Sequence, residues 1–223
     1  MVSVKTIQNK FDGKVRIYSP NLNPYMIRAV PDNKKVLDVG CSSGTLGKHL
    51  KEHKNCRVWG LDISQKAVDE AKETYEDAAV MDLDRDEFPF KNEKFDVIVF
   101  ADVLEHVVEP REVLNRFKEY LENDGIIVIS IPNVATIAMR LHLLFGNWNY
   151  TQLGTLDNTH LRFFTRKTMK NMIENVGLEI IENGGGHPVV IKKLKIMPVY
   201  NLLQKIYPNL FSSQFVMISK LKN

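Results

Sequence analysis

Val36-Leu37-Asp38-Val39-Gly40-Cys41-Ser42-Ser43-Gly44-Thr45-Leu46-Gly47 is the stretch whose reading decides the fold. The apolar run 36–39 predicts a buried strand. It stops at Gly40, and small residues lead into a helix from Thr45. A strand that turns through glycines into a helix is the nucleotide-binding turn of a doubly wound sheet. Glycine suits such a turn because backbone must approach a ligand closely and can need positive φ.

Outward from this loop, strands and helices alternate. Residues 57–61 end at Asp62, about 20 residues beyond the glycines, where an acid can bind ribose hydroxyls. Ser64 can cap a helix through Ala67, Val68, Ala71 and Tyr75. A short apolar stretch at 78–80 runs into Met81-Asp82-Leu83, where a third acid can meet an adenine amino group. Residues 95–101 read as a strand, Pro110 opens a helix, and Asn123-Asp124-Gly125 turns into a strand at 126–131. Alternation of this kind predicts an α/β fold: a Rossmann-like, doubly wound, mostly parallel sheet. A final antiparallel strand is expected at 213–221, with an N-terminal helical cap and a lid insertion. Asp38 inside the first strand argues against a pyrophosphate and suits a ligand with a cationic end. S-adenosylmethionine has an ammonium and a sulfonium.

Three acids at three successive strand ends form a pattern that resembles the class I S-adenosylmethionine-dependent methyltransferases. The likeness is carried by 36–44, by Gly60-Leu61-Asp62-Ile63-Ser64 and by Met81-Asp82-Leu83. It continues through Phe95-Asp96-Val97-Ile98-Val99, Asp102-Val103-Leu104-Glu105-His106-Val107 and 125–130, covering roughly residues 34 to 133. Ser42 stands where that family usually has a glycine. The resemblance implies cofactor contacts from Asp38, Gly40, Cys41, Gly44, Asp62, Ile63, Asp82, Leu83 and Ala101.

The chemistry is expected after the fourth strand. On a helical turn Asp102, Glu105 and His106 share one face, by i, i+3 and i+4 spacing. Two carboxylates and an imidazole so placed can bind a divalent cation, or can simply be hydrogen-bonded structure at a helix start. His160, in Asp157-Asn158-Thr159-His160-Leu161-Arg162-Phe163-Phe164, is the candidate fourth ligand. This segment is similar to that of the ubiquinone-biosynthesis O-methyltransferases, which carry Glu-x-x-Glu-His after the fourth strand. It also resembles small-RNA 2'-O-methyltransferases, where two Glu and two His hold a metal over vicinal hydroxyls. Asp102 replaces the first Glu. The resemblance thus implies His106, His160 and Glu105 as catalytic, and Asp102, Glu105, His106 and His160 as metal ligands. Segments of the His-Leu-Arg-Phe-Phe-Thr type also resemble methyltransferases associated with polysaccharide assembly. The expected acceptor is a hydroxyl of a small molecule or a glycan. Arg162 can hold an anionic group on it.

Composition bounds the rest. At 223 residues, with 44% apolar residues, one domain is expected over 34–223, preceded by a cap at 1–33. Insertions fall at about 133–164 and 187–211. Two cysteines point to a reducing, cytoplasmic setting, and no apolar run is long enough to cross a bilayer. A net charge of +3 is too small to imply nucleic acid. The acceptor apart, a monomer or homodimer is expected. After Glu182 no Asp or Glu occurs, while six lysines do; this basic segment is a solvated face, a lid, or a weak contact with anionic lipid or glycan. The apolar helix expected at 135–145 reads as core cover or lid. Two rival functions remain. A dehydrogenase of the short-chain type needs Tyr-x-x-x-Lys, and none of the seven tyrosines has Lys four residues later. A non-catalytic module that only binds the cofactor is compatible with the same fold.

Overall fold

The computed structural model describes residues 23–185 and 197–222. Most of the N-terminal cap, 1–22, and part of the second insertion, 186–196, lie outside them. In chain order the elements are α1 (Pro24–Ala29), β1 (Lys35–Val39), α2 (Thr45–Lys54), β2 (Arg57–Asp62), α3 (Gln65–Lys72) and β3 (Asp77–Val80). Then come β4 (Phe95–Ala101), a 3₁₀ turn (Leu104–His106), α4 (Pro110–Phe117), β5 (Leu121–Pro132) and α5 (Ile137–Leu144). The chain ends in α6 (Arg166–Asn175), β6 (Leu178–Gly185), α7 (Met197–Ile206), α8 (Pro208–Phe211) and β7 (Gln214–Leu221).

The seven strands form one sheet in the order β3-β2-β1-β4-β5-β7-β6. The first five pair in parallel, and β7 runs antiparallel to both neighbours. Alternate residues of the central strands feed two cores. Leu37, Ile98, Phe100 and Ile127 pack on one face, and Val36, Val97, Val99 and Val128 on the other. A strand buried on both sides has no polar alternation, which is why 36–39 and 95–101 read as apolar runs broken only by Asp38 and Asp96.

The strand order reverses between β1 and β4. Ligands of open α/β sheets bind at the carboxyl ends of the strands beside such a reversal. The glycine loop, Asp62, residues 81–83 and the 102–106 turn all leave the sheet at that edge.

Two expectations need correction. The strand expected from 126 already begins at Leu121, with a register break opposite Phe95/Val97 that absorbs residues 122–125. Of the two readings of the apolar helix, core cover fails for α5 and the lid reading stands untouched. Thr136 caps it as an ordinary helix, yet it buries none of its side chains.

Candidate active site

The loop after β1 is shaped by glycines for two different reasons. Gly40 and Gly44 have φ of 72° and 83°, where any side chain is strained. Gly47 and Gly60 instead make room for Tyr75, since a Cβ on Gly47 would lie 2.2 Å from Tyr75 Cε1. Tyr75 fills the floor of the loop. Its hydroxyl accepts from Gly47 N at 2.9 Å and donates to Asp38 Oδ2 at 2.6 Å.

Asp38 is therefore not a surface acid waiting for a cation. It is 2% exposed and bonded to a protein hydroxyl beneath the loop. Burial raises its pKa to about 7, the Tyr75 hydrogen bond pulls the other way, and the charge of Asp62 adds to the rise. Burial, with Asp38 and Asp62 nearby, likewise pushes the Cys41 thiol up, so the thiol is no nucleophile.

The raised pKa has a stability consequence. The folded state binds the proton more tightly than the unfolded state. The stability this gives is full below the ordinary carboxylate value, 3.8, and is lost as pH rises through about 7. Asp38→Asn should flatten that dependence. Comparing the two proteins' denaturant midpoints at acid and alkaline pH, the variant should gain of order a few kcal/mol relative to wild type. Parallel pH profiles would show that Asp38 stays ionised in the fold. Tyr75→Phe removes the only hydrogen bond described to the buried Asp38 carboxylate and unties Gly47 N. Thermal unfolding should show roughly 1–3 kcal/mol lost. An unchanged midpoint would mean that water replaces the hydroxyl.

Asp62 is held differently. Its Oδ1 accepts from Ser64 N at 2.9 Å and its Oδ2 from Ser42 N at 2.8 Å. Ser42 sits at φ 48°, the conformation a glycine would take without cost, and this bond offsets the strain. Asp62 is half-buried at the strand end, and a carboxylate there is an acceptor of the kind a diol donates to. Ile63 follows it, also half-buried. Asp82 is buried and turned into its own loop, accepting from Asp84 N at 3.0 Å, with Arg85 3.8 Å away. Leu83 packs at the edge of the larger core, and Ala101 closes β4 opposite Ser130.

The acceptor end is built around the 3₁₀ turn. The Glu105 carbonyl accepts from Leu161 N and Arg162 N at 2.8 and 3.0 Å, which docks the later loop on the turn and brings His160 over it. Glu105, His106 and His160 place one ligand atom each within 4.8 Å of one another. The two rings lie 4.7 Å apart, and His160 Nε2 is 4.0 Å from Glu105 Oε1. Each Nδ1 faces a backbone carbonyl: His106 that of Thr159 at 3.1 Å, His160 that of Thr155 at 3.0 Å. A carbonyl only accepts, so each Nδ1 carries a proton, and Nε2 is the nitrogen that the neutral ring offers to an ion or a substrate proton. Asp157 supports this arrangement. It accepts from Thr159 N and Thr159 Oγ1 at 2.8 and 2.6 Å, and Thr159 Oγ1 stands 3.2 Å from His106 Nδ1.

Asp102 does not join the cluster. Its φ of 56° turns the carboxylate to Gln214 Nε2, at 2.5 and 2.7 Å, and to Ser130 Oγ at 3.0 Å. Gln214 Oε1 in turn accepts from Asn23 Nδ2 at 2.5 Å. The expected four-ligand set thus becomes three residues, with Asp102 tying β4, β5, β7 and the start of α1 together. Thr159, Asp157, Tyr75 and Gln214 carry no signal in the sequence by which their roles could be read.

Residues 17–183 match the family model described as a methyltransferase domain. The chain belongs to this methyltransferase family. Among curated relatives, the ubiquinone biosynthesis O-methyltransferase of Haemophilus ducreyi is 28% identical over 163 residues, 69% of each chain. That of Coxiella burnetii is 23% identical over 180 residues, 74% of each. A solved S-adenosylmethionine-dependent methyltransferase from Mesorhizobium loti superposes with a TM-score of 0.60 at 18% identity, covering 88% of this chain and 95% of that one. The magnesium protoporphyrin IX methyltransferase of Synechocystis PCC 6803 with bound S-adenosylhomocysteine gives 0.58 at 16%, covering 98% and 82%. These structures share the fold. The methyltransferase uses S-adenosylmethionine, and the loop fits that donor. A Cβ at Gly40 would meet Val103 Cγ2 at 2.4 Å, and Asp62 presents an oriented carboxylate at the end of β2.

Proposed function

We propose that this methyltransferase transfers the methyl group to a hydroxyl of a small molecule or a glycan. The observation that carries the reading is the gathering of Glu105, His106 and His160, one ligand atom each within 4.8 Å of the others, with both Nδ1 atoms facing backbone carbonyls. When bound, S-adenosylmethionine supplies an electrophilic methyl group and a thioether leaving group. The protein's part is alignment and removal of a proton. His106 is the more open imidazole, half-buried, whereas the His160 side chain is 5% exposed and backed by Glu105. His106 Nε2 takes the hydroxyl proton as the acceptor oxygen bonds to the methyl carbon. Glu105, 1% exposed, balances the positive charge that develops on the imidazoles. Phe163 stands 6.3 Å from His160 and 5.3 Å from Trp148, ring to ring, an aromatic wall suited to a ring-shaped acceptor.

A second reading rests on the same three donors. Glu105, His106 and His160 can hold a divalent cation, with the carbonyls of Thr159 and Thr155 orienting the imidazoles from behind. Such an ion would lower the pKa of an acceptor hydroxyl. Two imidazoles and one carboxylate fit Zn²⁺ or Fe²⁺ as well as Mn²⁺. An acceptor panel of phenols, sugars and vicinal diols, with isotopically labelled methyl donor, tests the first reading. Label appearing only on nitrogen or carbon would exclude an oxygen acceptor. No acceptor methylated at all would leave a binding module. No helix among the described residues is long and apolar enough to cross a membrane. Cys41 and Cys56 are free, buried thiols, which supports a reducing compartment such as the cytoplasm.

A further inference from the structure

Helix α5 is apolar along one stripe and leaves that stripe in water. Ile137, Leu141, Leu144 and Phe145 follow at i, i+4, i+7 and i+8, and the last two are 74% and 76% exposed. Leu143 on the flank and Leu153 in the following loop are 57% and 72% exposed. Single exposed leucines are ordinary, but a helix that buries no side chain and clusters its largest apolar ones outward is a surface for something to cover.

Charge selects the cover. Residues 125–156 contain no Asp or Glu, and Arg140 and His142 lie within the helix. A second apolar face leaves the sheet at the same corner, because Asn133 Nδ2 donates to the carbonyls of Asn209 and Ser212 at 3.0 and 2.8 Å. On it, Val199, Leu202 and Ile206 are exposed, with Lys205 among them, in a stretch that has no acid after Glu182. A second copy of this chain would bring one basic, acid-free face against another. A layer of anionic lipid headgroups complements both the charge and the apolar stripe.

We propose that α5 and the loop after it dock on an anionic membrane surface as an interfacial helix. Ile137, Leu141, Leu144 and Phe145 sink to the acyl boundary, and Arg140 meets the headgroups. The loop that carries His160 begins where this helix ends, so docking sets the acceptor cluster a short stretch of chain from the lipid.

Co-sedimentation with vesicles tests this without any acceptor. Wild type should pellet with phosphatidylglycerol–phosphatidylcholine vesicles, and roughly tenfold less with phosphatidylcholine alone or at high salt. Leu144→Glu combined with Phe145→Glu should lower the pelleted fraction roughly tenfold or more while S-adenosylhomocysteine binds as before. The salt and lipid dependence of wild type decides the matter even if the double variant misfolds. Wild type remaining in the supernatant, or a folded double variant that pellets equally, would overturn the proposal. So would a wild-type dimer in analytical ultracentrifugation that the double variant dissolves, since the face would then meet a second copy.

Discussion

His106→Ala is expected to lower methyl transfer by about 10²–10⁴-fold while S-adenosylhomocysteine affinity stays within a factor of a few. The expectation follows from where the ring is held. Its Nδ1–H is committed to the Thr159 carbonyl, so truncation takes Nε2 out of the site and leaves the loop after β1 untouched. His160→Ala should cost a comparable factor, because the same loop docks it beside Glu105. Exhaustive chelation separates the two readings of the cluster. If the histidines act as bases, activity survives chelation and only the variants are slow. If they hold an ion, chelation alone reproduces the loss in wild type, and elemental analysis finds one metal per chain in wild type and less in the variants. Full activity in both histidine variants would remove the cluster from the chemistry altogether. A graded variant sharpens the test. Thr159→Val keeps the carbonyl but removes the hydroxyl 3.2 Å from His106 Nδ1, so its effect should be smaller than that of His106→Ala.

The fold was legible because its signals are local. Short apolar runs at 36–39 and 95–101, interrupted only by Asp38 and Asp96, mark strands buried on both faces, and Gly40 and Gly44 carry the positive φ that the turn into α2 requires. Which strand ends bear acids was equally legible. What those acids face was not. Asp38 and Asp102 were both expected to reach toward ligands, yet Asp38 points down to Tyr75 and Asp102 is swung to Gln214, 112 residues away in sequence. Side-chain direction at a strand end depends on a single φ, and the φ of 56° at Asp102 has no counterpart in composition or spacing. His160 was found through its resemblance to a family segment. Its partners Thr159 and Asp157 were invisible because they act through a carbonyl and a hydroxyl rather than through a motif. Core cover and lid could not be told apart for helix α5 for a related reason: periodicity reports that a face is apolar, and cannot report what lies against it.

Asp62→Ala should be the variant most damaging to cofactor binding. The carboxylate stands at the end of β2 with one oxygen on Ser64 N and the other on Ser42 N. These bonds fix its direction, and a carboxylate oxygen can accept more than one hydrogen bond, including one from a ribose hydroxyl. A hydrogen bond to a charged group contributes about 1.5–3 kcal/mol, so losing two weakens S-adenosylhomocysteine by roughly 10²–10⁴-fold. A second loss adds to the first. Ser42 is held at φ 48° in part by this carboxylate, and without it the loop after β1 can relax toward unstrained backbone. Titration calorimetry measures the sum, and Ser42→Gly in the Asp62→Ala background divides it. Glycine removes the strain, so whatever affinity it restores belongs to the loop, and whatever remains lost belongs to the ribose. Wild type should bind S-adenosylmethionine and not NAD. Affinity unchanged in Asp62→Ala would exclude the residue from the cofactor site and leave it as the tie between β2 and the loop after β1.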